Sequence, residues 1–362
     1  MSKVIEKMTK QDKQWLTSWS CSQRGVGSDA PKLSGQLITY QIKLQHNSDK
    51  LKLTLANGYS DQPQHIKYIA IASEFETEFE LLTVEGETAF FLMPNDIKKT
   101  DIIDKTVARK ETLYIQMCYE TVITEGYNLL VAVDSYVSRD ATTVVGFGDS
   151  ITEQGYWITP LKQAVYETLG EGYSVVNAGI SGNRLLRGFS TLPVSGQYFG
   201  ISGVARFERD VFKVNTNVHV VIIALGVNDL HQPGTDSLIP IDELPTFEEL
   251  VVGYEQLFHI ANQYNCRVYV ATIGSFIGYT VDVKNTEKEI LRKRINHWLL
   301  HHAKVDGVYD FSDVLVSDSD PTRLDSRYDS GDKLHPSEKG GAAMSQIIEV
   351  KAFENCGCLT SK

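Results

Sequence analysis

The 362-residue chain has few cysteines, no long apolar run and no excess of positive charge. Its five cysteines, of which only Cys356 and Cys358 are close together, do not form the disulfide framework of a small secreted protein. No segment has the roughly 20 consecutive apolar residues that a membrane-spanning helix needs. Lys and Arg number 35 against 46 Asp and Glu, and the net charge of −11 argues against nucleic acid or an anionic membrane as the main partner.

These features also bear on location and on cofactors. Residues 1–15 are polar and charged and lack the apolar core of a signal peptide, so we predict a cytoplasmic protein. The Cys356 and Cys358 pair supplies only two metal ligands near a chain terminus, where free thiols are expected. The aspartates between residues 313 and 329 do not follow the spacing of an EF-hand loop. We therefore expect neither a metal nor another cofactor.

The length exceeds that of a typical domain and predicts two, residues 1–137 and residues 138–362. In the first, apolar and polar residues alternate with the period of two that is typical of strands with one buried face. Strands are predicted at residues 38–45, 51–55, 75–81, 113–119 and 129–133. Several short alternating strands separated by turn residues predict an all-β, antiparallel sandwich.

This predicted sandwich contains no nucleophile, metal-ligand spacing or phosphate-binding loop. We expect it to pack against the second domain, with Trp15 and Trp19 at the junction between them. A carbohydrate-binding surface on the sandwich is the alternative. His46 and His65 are isolated in the sequence and are expected to be surface or structural residues.

From about residue 140 the pattern changes to strands that alternate with helices. Strands are predicted at residues 143–147, 174–177, 219–225, 267–272 and 307–310. Helices are predicted after a capping box at Thr246–Glu249 and over residues 287–302 and 337–352. This alternation predicts a parallel, doubly wound sheet in three α/β/α layers.

The segment from Val144 to Thr152 passes from an apolar strand through two glycines into Asp149 and Ser150 and then toward a helix. α/β sheets expose ligand-binding side chains at the carboxyl ends of such strands. Ser150 would there have a free hydroxyl near the positive end of a helix, which suits a nucleophile. A serine in this place is equally typical of a helix N-cap, so partners elsewhere in the chain must decide its role.

Three later segments supply such partners, each after a strand or in a terminal loop. They are Ile180-Ser181-Gly182-Asn183-Arg184, Gly226-Val227-Asn228-Asp229 and Ser330-Gly331-Asp332-Lys333-Leu334-His335-Pro336. Together with the Ser150 segment, and in this order, they resemble the SGNH (GDSL-type) hydrolase family over residues 140–350. The resemblance implies a flavodoxin-like hydrolase fold. Some two-domain bacterial members carry a jelly-roll-like module before the hydrolase part, to which the predicted sandwich is similar.

The resemblance implies Ser150, Gly182, Asn228 and His335 as site residues, with Asp332 in the acid position. An acyl-transfer hydrolase needs a nucleophile, a base, a group that orients the base, and donors for the oxyanion. Ser150 would be the nucleophile, His335 the base and Asp332 the orienting acid. The expected oxyanion donors are the N–H groups of Ser150 and Gly182 and the side-chain amide of Asn228.

Several neighbouring acids need a separate interpretation. Asp329 lies three residues before Asp332 and is the alternative acid. Asp149 and Asp229 are expected to accept backbone N–H bonds within their loops.

The leading hypothesis is a serine esterase that removes a short acyl group, acetyl foremost, from a carbohydrate by way of an acyl-enzyme intermediate. The segments expected to border the site, Arg184–Gly188, Ser195–Gly200 and Ser275–Tyr279, mix charge, amides and aromatic rings with glycine. This composition favours a small-molecule or oligosaccharide ester over a lipid. The alternatives are a lipase, lysophospholipase or thioesterase of the same family, or a catalytically silent carbohydrate-binding protein.

Overall fold

The computed structural model describes residues 13–25, 32–33, 37–75, 77–120, 123–124, 127–137, 141–188, 198–235, 239–280 and 285–354. In these residues the chain forms two five-stranded antiparallel sheets, a two-stranded ribbon and one five-stranded parallel sheet. Cys356, Cys358 and the segment 195–197 lie outside the described residues.

The first part of the chain is entirely β structure. Its strands are β1 Gln14–Ser20, β2 Lys32–Leu33, β3 Leu37–Lys43, β4 Ser48–Ala56, β5 Gln64–Ala72, β6 Glu80–Leu82, β7 Phe90–Leu92, β8 Ile97–Lys99, β9 Ile103–Val107, β10 Thr112–Tyr119, β11 Ile123–Thr124 and β12 Leu130–Val137. One sheet has the order β1-β12-β4, with β8 and β9 both paired to β4, and the other has the order β3-β10-β5, with β6 and β7 both paired to β5. Strands β2 and β11 form the ribbon.

The two antiparallel sheets share one apolar core. Leu51, Leu53 and Leu55 of β4 are completely buried, and so are Ile115 and Met117 of β10 in the other sheet. Successive side chains of a strand point to opposite faces, so every second residue enters this core. The sandwich predicted from the alternation is confirmed.

The predicted strand over residues 75–81 is wrong. Thr77 donates its N–H to the carbonyl oxygen of Glu74 in a turn, and only Glu80–Leu82 pairs with β5. Phe75 and Leu81 are 56% and 58% exposed. Alternation produces a strand where one set of side chains is buried against a facing layer, and these two side chains stay mostly exposed.

The second part of the chain is α/β. Its strands are β13 Thr142–Gly148, β14 Tyr173–Gly179, β15 Val218–Ala224, β16 Arg267–Ala271 and β17 Gly307–Tyr309. Its helices are α1 Ser150–Glu153, α2 Ile158–Leu169, α3 Gly203–Phe207, α4 Val227–His231, α5 Phe247–Gln263, α6 Asn285–His301, α7 Phe311–Leu315 and α8 Glu338–Gln346. A π-helical turn, Glu208–Lys213, continues α3, and 3₁₀ turns cover Ile241–Glu243 and Val350–Phe353.

Every neighbouring pair of these strands is parallel, and their order is β14-β13-β15-β16-β17. This is the flavodoxin-like order, in which the chain changes direction between the first and third strands. The crevice for ligands in such sheets lies at the carboxyl ends of those two strands, here β13 and β15. Ser150 follows β13 and Asn228 follows β15.

Helices cover both faces of the sheet, as predicted. Val221 and Ile223 of β15 enter the core that includes Tyr254 of α5, whereas Val220 and Ile222 enter the core that includes Trp157. The capping box at Thr246 forms with both of its hydrogen bonds. The helix predicted over residues 337–352 is shorter, because α8 ends at Gln346 and a 3₁₀ turn follows. Within the described residues no helix combines the length and apolarity needed to cross a bilayer.

The sandwich packs against the edge strand β14 of the parallel sheet. Gln45 donates its side-chain amide to the carbonyl oxygen of Val175 (2.9 Å) and accepts the N–H of Val175 (3.2 Å). Next to it, His46 is buried and its Nε2 lies 3.0 Å from the carbonyl oxygen of Tyr173. β1 contacts the parallel sheet at another strand, since Asn217, just before β15, donates to the carbonyl oxygen of Trp15 (2.8 Å). His46 is therefore a structural residue.

Candidate active site

Ser150 is the first residue of α1, immediately after the carboxyl end of β13. Asp149 caps this helix by accepting the N–H of Ile151 at Oδ1 (3.0 Å). The preceding Gly148 has no room for a side chain, since a Cβ there would lie 2.4 Å from the carbonyl oxygen of Ala224 on β15. The glycine lets β13 approach β15 closely before the chain turns into the helix that carries Ser150.

The hydroxyl of Ser150 meets the imidazole of His335. Ser150 Oγ lies 2.8 Å from His335 Nε2, and His335 Nδ1 lies 2.6 Å from Asp332 Oδ2. A carboxylate only accepts, so Nδ1 carries the proton and Nε2 is left to accept the hydrogen of Ser150. This is the arrangement that a serine nucleophile needs for activation by a neighbouring base.

The two carboxylate oxygens of Asp332 have different partners. Oδ2 faces the ring, whereas Oδ1 accepts the backbone N–H groups of His335 (2.8 Å) and Leu334 (2.9 Å). Burial acts to raise the pKa of Asp332, but the hydrogen bonds from the His335 side chain and from these N–H groups outweigh it and hold the pKa below its ordinary value. The carboxylate is therefore charged at neutral pH.

Asp329, the alternative acid, bonds the same loop at another point. Its Oδ1 accepts the N–H groups of Gly331 and Lys333, each at 2.9 Å. Lys333 has a φ of 70°, in the left-handed region, so the loop turns sharply just before the histidine. The geometry places Asp332 against the imidazole and Asp329 against the backbone.

Ser150, Gly182, Asn228 and His335 line one cavity of about 430 Å³. Gly182 has a φ of 73°, and a Cβ on it would lie 1.8 Å from the ring of Phe199, so only glycine fits there. The loop that follows β14 thereby brings its backbone to the cavity wall.

Asn228 is fixed by bonds at both ends of its amide. Nδ2 donates to the carbonyl oxygen of Asn183 (3.0 Å), and Oδ1 accepts from Gln232 Nε2 (3.0 Å). An amide nitrogen has two N–H groups, so one donor remains beyond the bond to Asn183. The cavity is thus bordered by Ser150 and by the residues expected to supply the donors for an oxyanion.

Asp149 and Asp229 lie buried behind the cavity and bond backbone groups, as expected. Asp229 accepts the N–H of Leu185 at Oδ2 (2.6 Å) and that of Leu186 at Oδ1 (3.0 Å). Burial raises the pKa of Asp149 to about 7 and that of Asp229 to about 6, and the charge of Asp229 adds to the effect on Asp149. These carboxyls hold the loops that present Ser150 and Gly182.

Arg206 on α3 is a buried residue near the site that sequence reasoning missed. Its guanidinium donates to the carbonyl oxygens of Gly148 (2.7 Å) and Ala178 (2.9 Å), to Asn183 Oδ1 (2.8 Å) and to Asp210 Oδ2 (3.0 Å). It joins the carboxyl ends of β13 and β14, from which the Ser150 and Gly182 segments leave the sheet. One arginine in a short helix has no sequence signature, so only the three-dimensional contacts reveal it.

The rim of the cavity differs from the sequence expectation. Arg184 and Arg187 were expected to border a substrate, but Arg184 pairs with Glu243 (2.7 Å) and Arg187 with Glu249 (3.2 Å), and neither lines the cavity. Tyr279 does line it, with its ring edge-on to that of His335 at a centroid distance of 6.0 Å. Aromatic and amide groups, rather than guanidinium groups, therefore form the rim.

The described residues hold no cluster of three or more His, Cys, Asp or Glu side chains that would suit a metal ion. The geometry of the site points to acyl transfer by a serine, which requires none.

Residues 147–343, more than half of the chain, match the GDSL-like Lipase/Acylhydrolase family. The chain belongs to this family. The matched region extends from β13 into α8 and contains every residue of the candidate site. As a GDSL-like acylhydrolase, the protein is a carboxylic ester hydrolase.

Two solved structures of this kind are similar to the acylhydrolase in fold. A GDSL-like lipase from Bacteroides thetaiotaomicron is 20% identical, with 59% of this chain and 88% of that chain covered and a TM-score of 0.40. Axe2, an acetylxylan esterase from Geobacillus stearothermophilus, is 20% identical, with 59% of this chain and 95% of that chain covered and a TM-score of 0.41. No curated protein matches the sequence.

Proposed function

We propose that this GDSL-like acylhydrolase cleaves esters of short acyl groups, acetyl foremost, through an acyl-enzyme intermediate on Ser150. The observation that carries the proposal is the hydrogen-bonded series from Ser150 through His335 to Asp332, at 2.8 and 2.6 Å. It opens into a cavity that Gly182 and Asn228 also line.

In the first half of the reaction, His335 Nε2 takes the proton of Ser150 as Oγ attacks the ester carbonyl carbon. The N–H groups of Ser150 and Gly182 and the amide of Asn228 donate to the negative oxygen that forms. When the intermediate collapses, the C–O bond to the alcohol breaks and His335 gives its proton to that alcohol. Water, activated by His335 in the same way, then releases the acid and regenerates Ser150.

The lining of the cavity supports a small acyl group and a polar alcohol. Hydroxyl and amide side chains form much of it, namely Gln154, Ser181, Gln232, Thr235 and Thr280. A long acyl chain needs a mainly apolar surface, because its transfer from water is what drives its binding. These groups instead match an alcohol that carries several hydroxyls.

A carbohydrate is the alcohol that we propose. Phe199 and Tyr279 supply rings on which the C–H face of a sugar can stack, and Gln154 supplies an amide for its hydroxyls. The guanidinium groups of Arg184 and Arg187 do not contribute, since they are paired elsewhere.

We also propose that residues 1–137 are an accessory domain and residues 138–362 the catalytic domain. The separate apolar core of the sandwich supports this division. The contacts of Gln45 and His46 with β14 support a packing role for the accessory domain. A cytoplasmic location stays a prediction from the sequence.

The test is a series of p-nitrophenyl esters from acetate to palmitate, with acetylated sugars as a second series. We expect acetate and butyrate to be hydrolysed far faster than laurate or palmitate, and acetylated sugars to be deacetylated.

Ser150→Ala should abolish turnover with an unchanged thermal unfolding midpoint, because the change removes one hydroxyl at a cavity wall. A fluorophosphonate probe should label the native enzyme and leave this variant unlabelled.

Other outcomes would overturn parts of the proposal. Faster turnover of palmitate or of a lysophospholipid would favour a lipase, and preference for acyl-CoA over oxygen esters would favour a thioesterase. An enzyme that neither labels nor turns over any ester would be a binding protein. Near wild-type turnover by Ser150→Ala would end the assignment of the nucleophile.

A further inference from the structure

Glu153, at the end of α1, joins the helix of Ser150 to the loop of Gly182. Its Oε2 accepts the backbone N–H of Ser181 at 2.7 Å and also the hydroxyl of Ser181. Ser181 immediately precedes Gly182, whose N–H is a proposed oxyanion donor. One carboxylate therefore fixes the distance between the nucleophile helix and a donor of the oxyanion.

The third donor to Glu153 comes from the all-β part of the chain. Arg24, which follows β1, places its Nη1 3.1 Å from Glu153 Oε1 and 3.2 Å from Oε2. The backbone beside Arg24 is held firmly by the buried Gln23, whose amide donates to the carbonyl oxygens of Ala56 (2.8 Å) and Asn128 (2.7 Å). The guanidinium is thus presented from the sandwich and not from the catalytic part.

A second contact from the sandwich reaches the other side of the same loop. The Tyr59 hydroxyl accepts the N–H of Ile201 at 3.2 Å. Asn183 donates to the carbonyl oxygens of both Phe199 and Ile201, each at 2.7 Å, and the ring of Phe199 covers Gly182. The sandwich therefore contacts Glu153, which bonds Ser181 before Gly182, and Ile201, which is bonded by Asn183, the residue after Gly182.

We propose that the all-β part of the chain positions the oxyanion loop, with Glu153 and Arg24 as positioning residues for the hydrolysis. The inference rests on the proposed function, because it takes the N–H of Gly182 as an oxyanion donor. Such donors act in the transition state and must be held in place before the charge forms. Loss of Glu153 frees Ser181 and Gly182 to move, so the rate of the chemical step falls while substrate binding changes little.

The test compares kcat and KM for p-nitrophenyl acetate in Glu153→Gln, Arg24→Met and the double variant. A glutamine has one acceptor oxygen for the three donors that meet at Glu153, and its NH₂ group faces a donor. We expect Glu153→Gln to lower kcat at least about tenfold, with KM within about twofold. Arg24→Met should lower kcat about threefold, and it should lower kcat no further in the Glu153→Gln background. Arg24→Lys should restore part of the loss.

Lys13→Met is the matched control, since Lys13 is also a cation of the sandwich that pairs with a carboxylate, Asp49, at 2.7 Å. This variant should keep wild-type kcat.

Wild-type kcat in Glu153→Gln, or equal fractional losses from Arg24→Met in both backgrounds, would overturn the inference. If Glu153→Gln does not fold, Arg24→Met and Arg24→Lys decide it alone, and wild-type kcat in Arg24→Met then overturns it. These outcomes are separate from those that overturn the proposed function, which are activity in Ser150→Ala, an inactive native enzyme, or a preference for long-chain esters, lysophospholipid or acyl-CoA.

Discussion

Ser150 and His335 are 185 residues apart in the chain, yet their side chains meet at 2.8 Å. The short loop before His335 makes this contact productive, because Asp332 bonds the ring with one oxygen and the backbone with the other. The same carboxylate therefore sets the tautomer of the imidazole and the position of the residue that carries it.

Substitution of the two candidate acids separates their roles. Asp332→Asn should lower kcat by about 10³- to 10⁴-fold, because an amide beside Nδ1 favours the tautomer in which Nε2 cannot accept a proton. Asp329→Asn should have a much smaller effect, since an asparagine oxygen still accepts the N–H groups of Gly331 and Lys333. Steady-state kinetics on p-nitrophenyl acetate measures both. A larger loss in Asp329→Asn would assign the acid to that residue.

Arg206 links the carboxyl ends of β13 and β14, two neighbouring strands of the parallel sheet. It donates to the carbonyl oxygens of Gly148, the last residue of β13, and of Ala178, the residue before the last of β14, and its guanidinium lies 4.1 Å from the ring centre of Phe147. The carbonyl oxygen of Gly148 also accepts the N–H of Ile180 (3.1 Å), so Arg206 adds a charged donor where the chain leaves the sheet. This one side chain therefore links the ends of the two strands that precede Ser150 and Gly182.

Arg206→Met should destabilise the fold strongly. It removes the guanidinium donor from the carbonyl groups of Gly148 and Ala178, of which Gly148 keeps the N–H of Ile180. It also removes one partner of the buried Asp210, a kind of change that costs about 3–5 kcal/mol. Lys213→Met is the control on the adjacent helical turn, where the exposed pair with Glu208 should contribute about 0–1 kcal/mol. Urea unfolding followed by circular dichroism measures both free energies. Equal stability of the two variants would contradict a joining role for Arg206.

The sequence predicted elements well where a pattern is local and periodic. The five parallel strands and the capping box of α5 follow from runs of a few residues. The alternation at residues 75–81 failed as a predictor because burial depends on what faces the segment, which is a property of the tertiary structure. For the same reason the sequence could not show that Arg184 is paired with Glu243, or that Arg206 joins two strands.

On the scale of the whole molecule, the sandwich completes an edge of the parallel sheet. An edge strand leaves N–H and carbonyl groups unpaired along one side. Gln45 offers its side-chain amide in place of a further strand, with a carbonyl oxygen for the N–H of Val175 and an NH₂ group for its carbonyl oxygen. His46 adds a bond to Tyr173, and burial lowers its pKa to about 4, so its neutral ring donates from Nε2.

Gln45→Ala tests whether this contact stabilises the molecule. The substitution leaves both backbone groups of Val175, and the carbonyl oxygen of Ser18, without the partner that Gln45 provides. We expect the thermal unfolding midpoint to fall by about 3–6 °C, because each such buried group costs free energy when it is left unpaired. Gln41→Ala, on an exposed position of β3, removes the same side chain from the outer face of the sandwich and should change the midpoint by about 1 °C or less. Equal midpoints in the two variants would mean that the sandwich and the parallel sheet are held together by other contacts, and that the amide of Gln45 is no substitute for a strand.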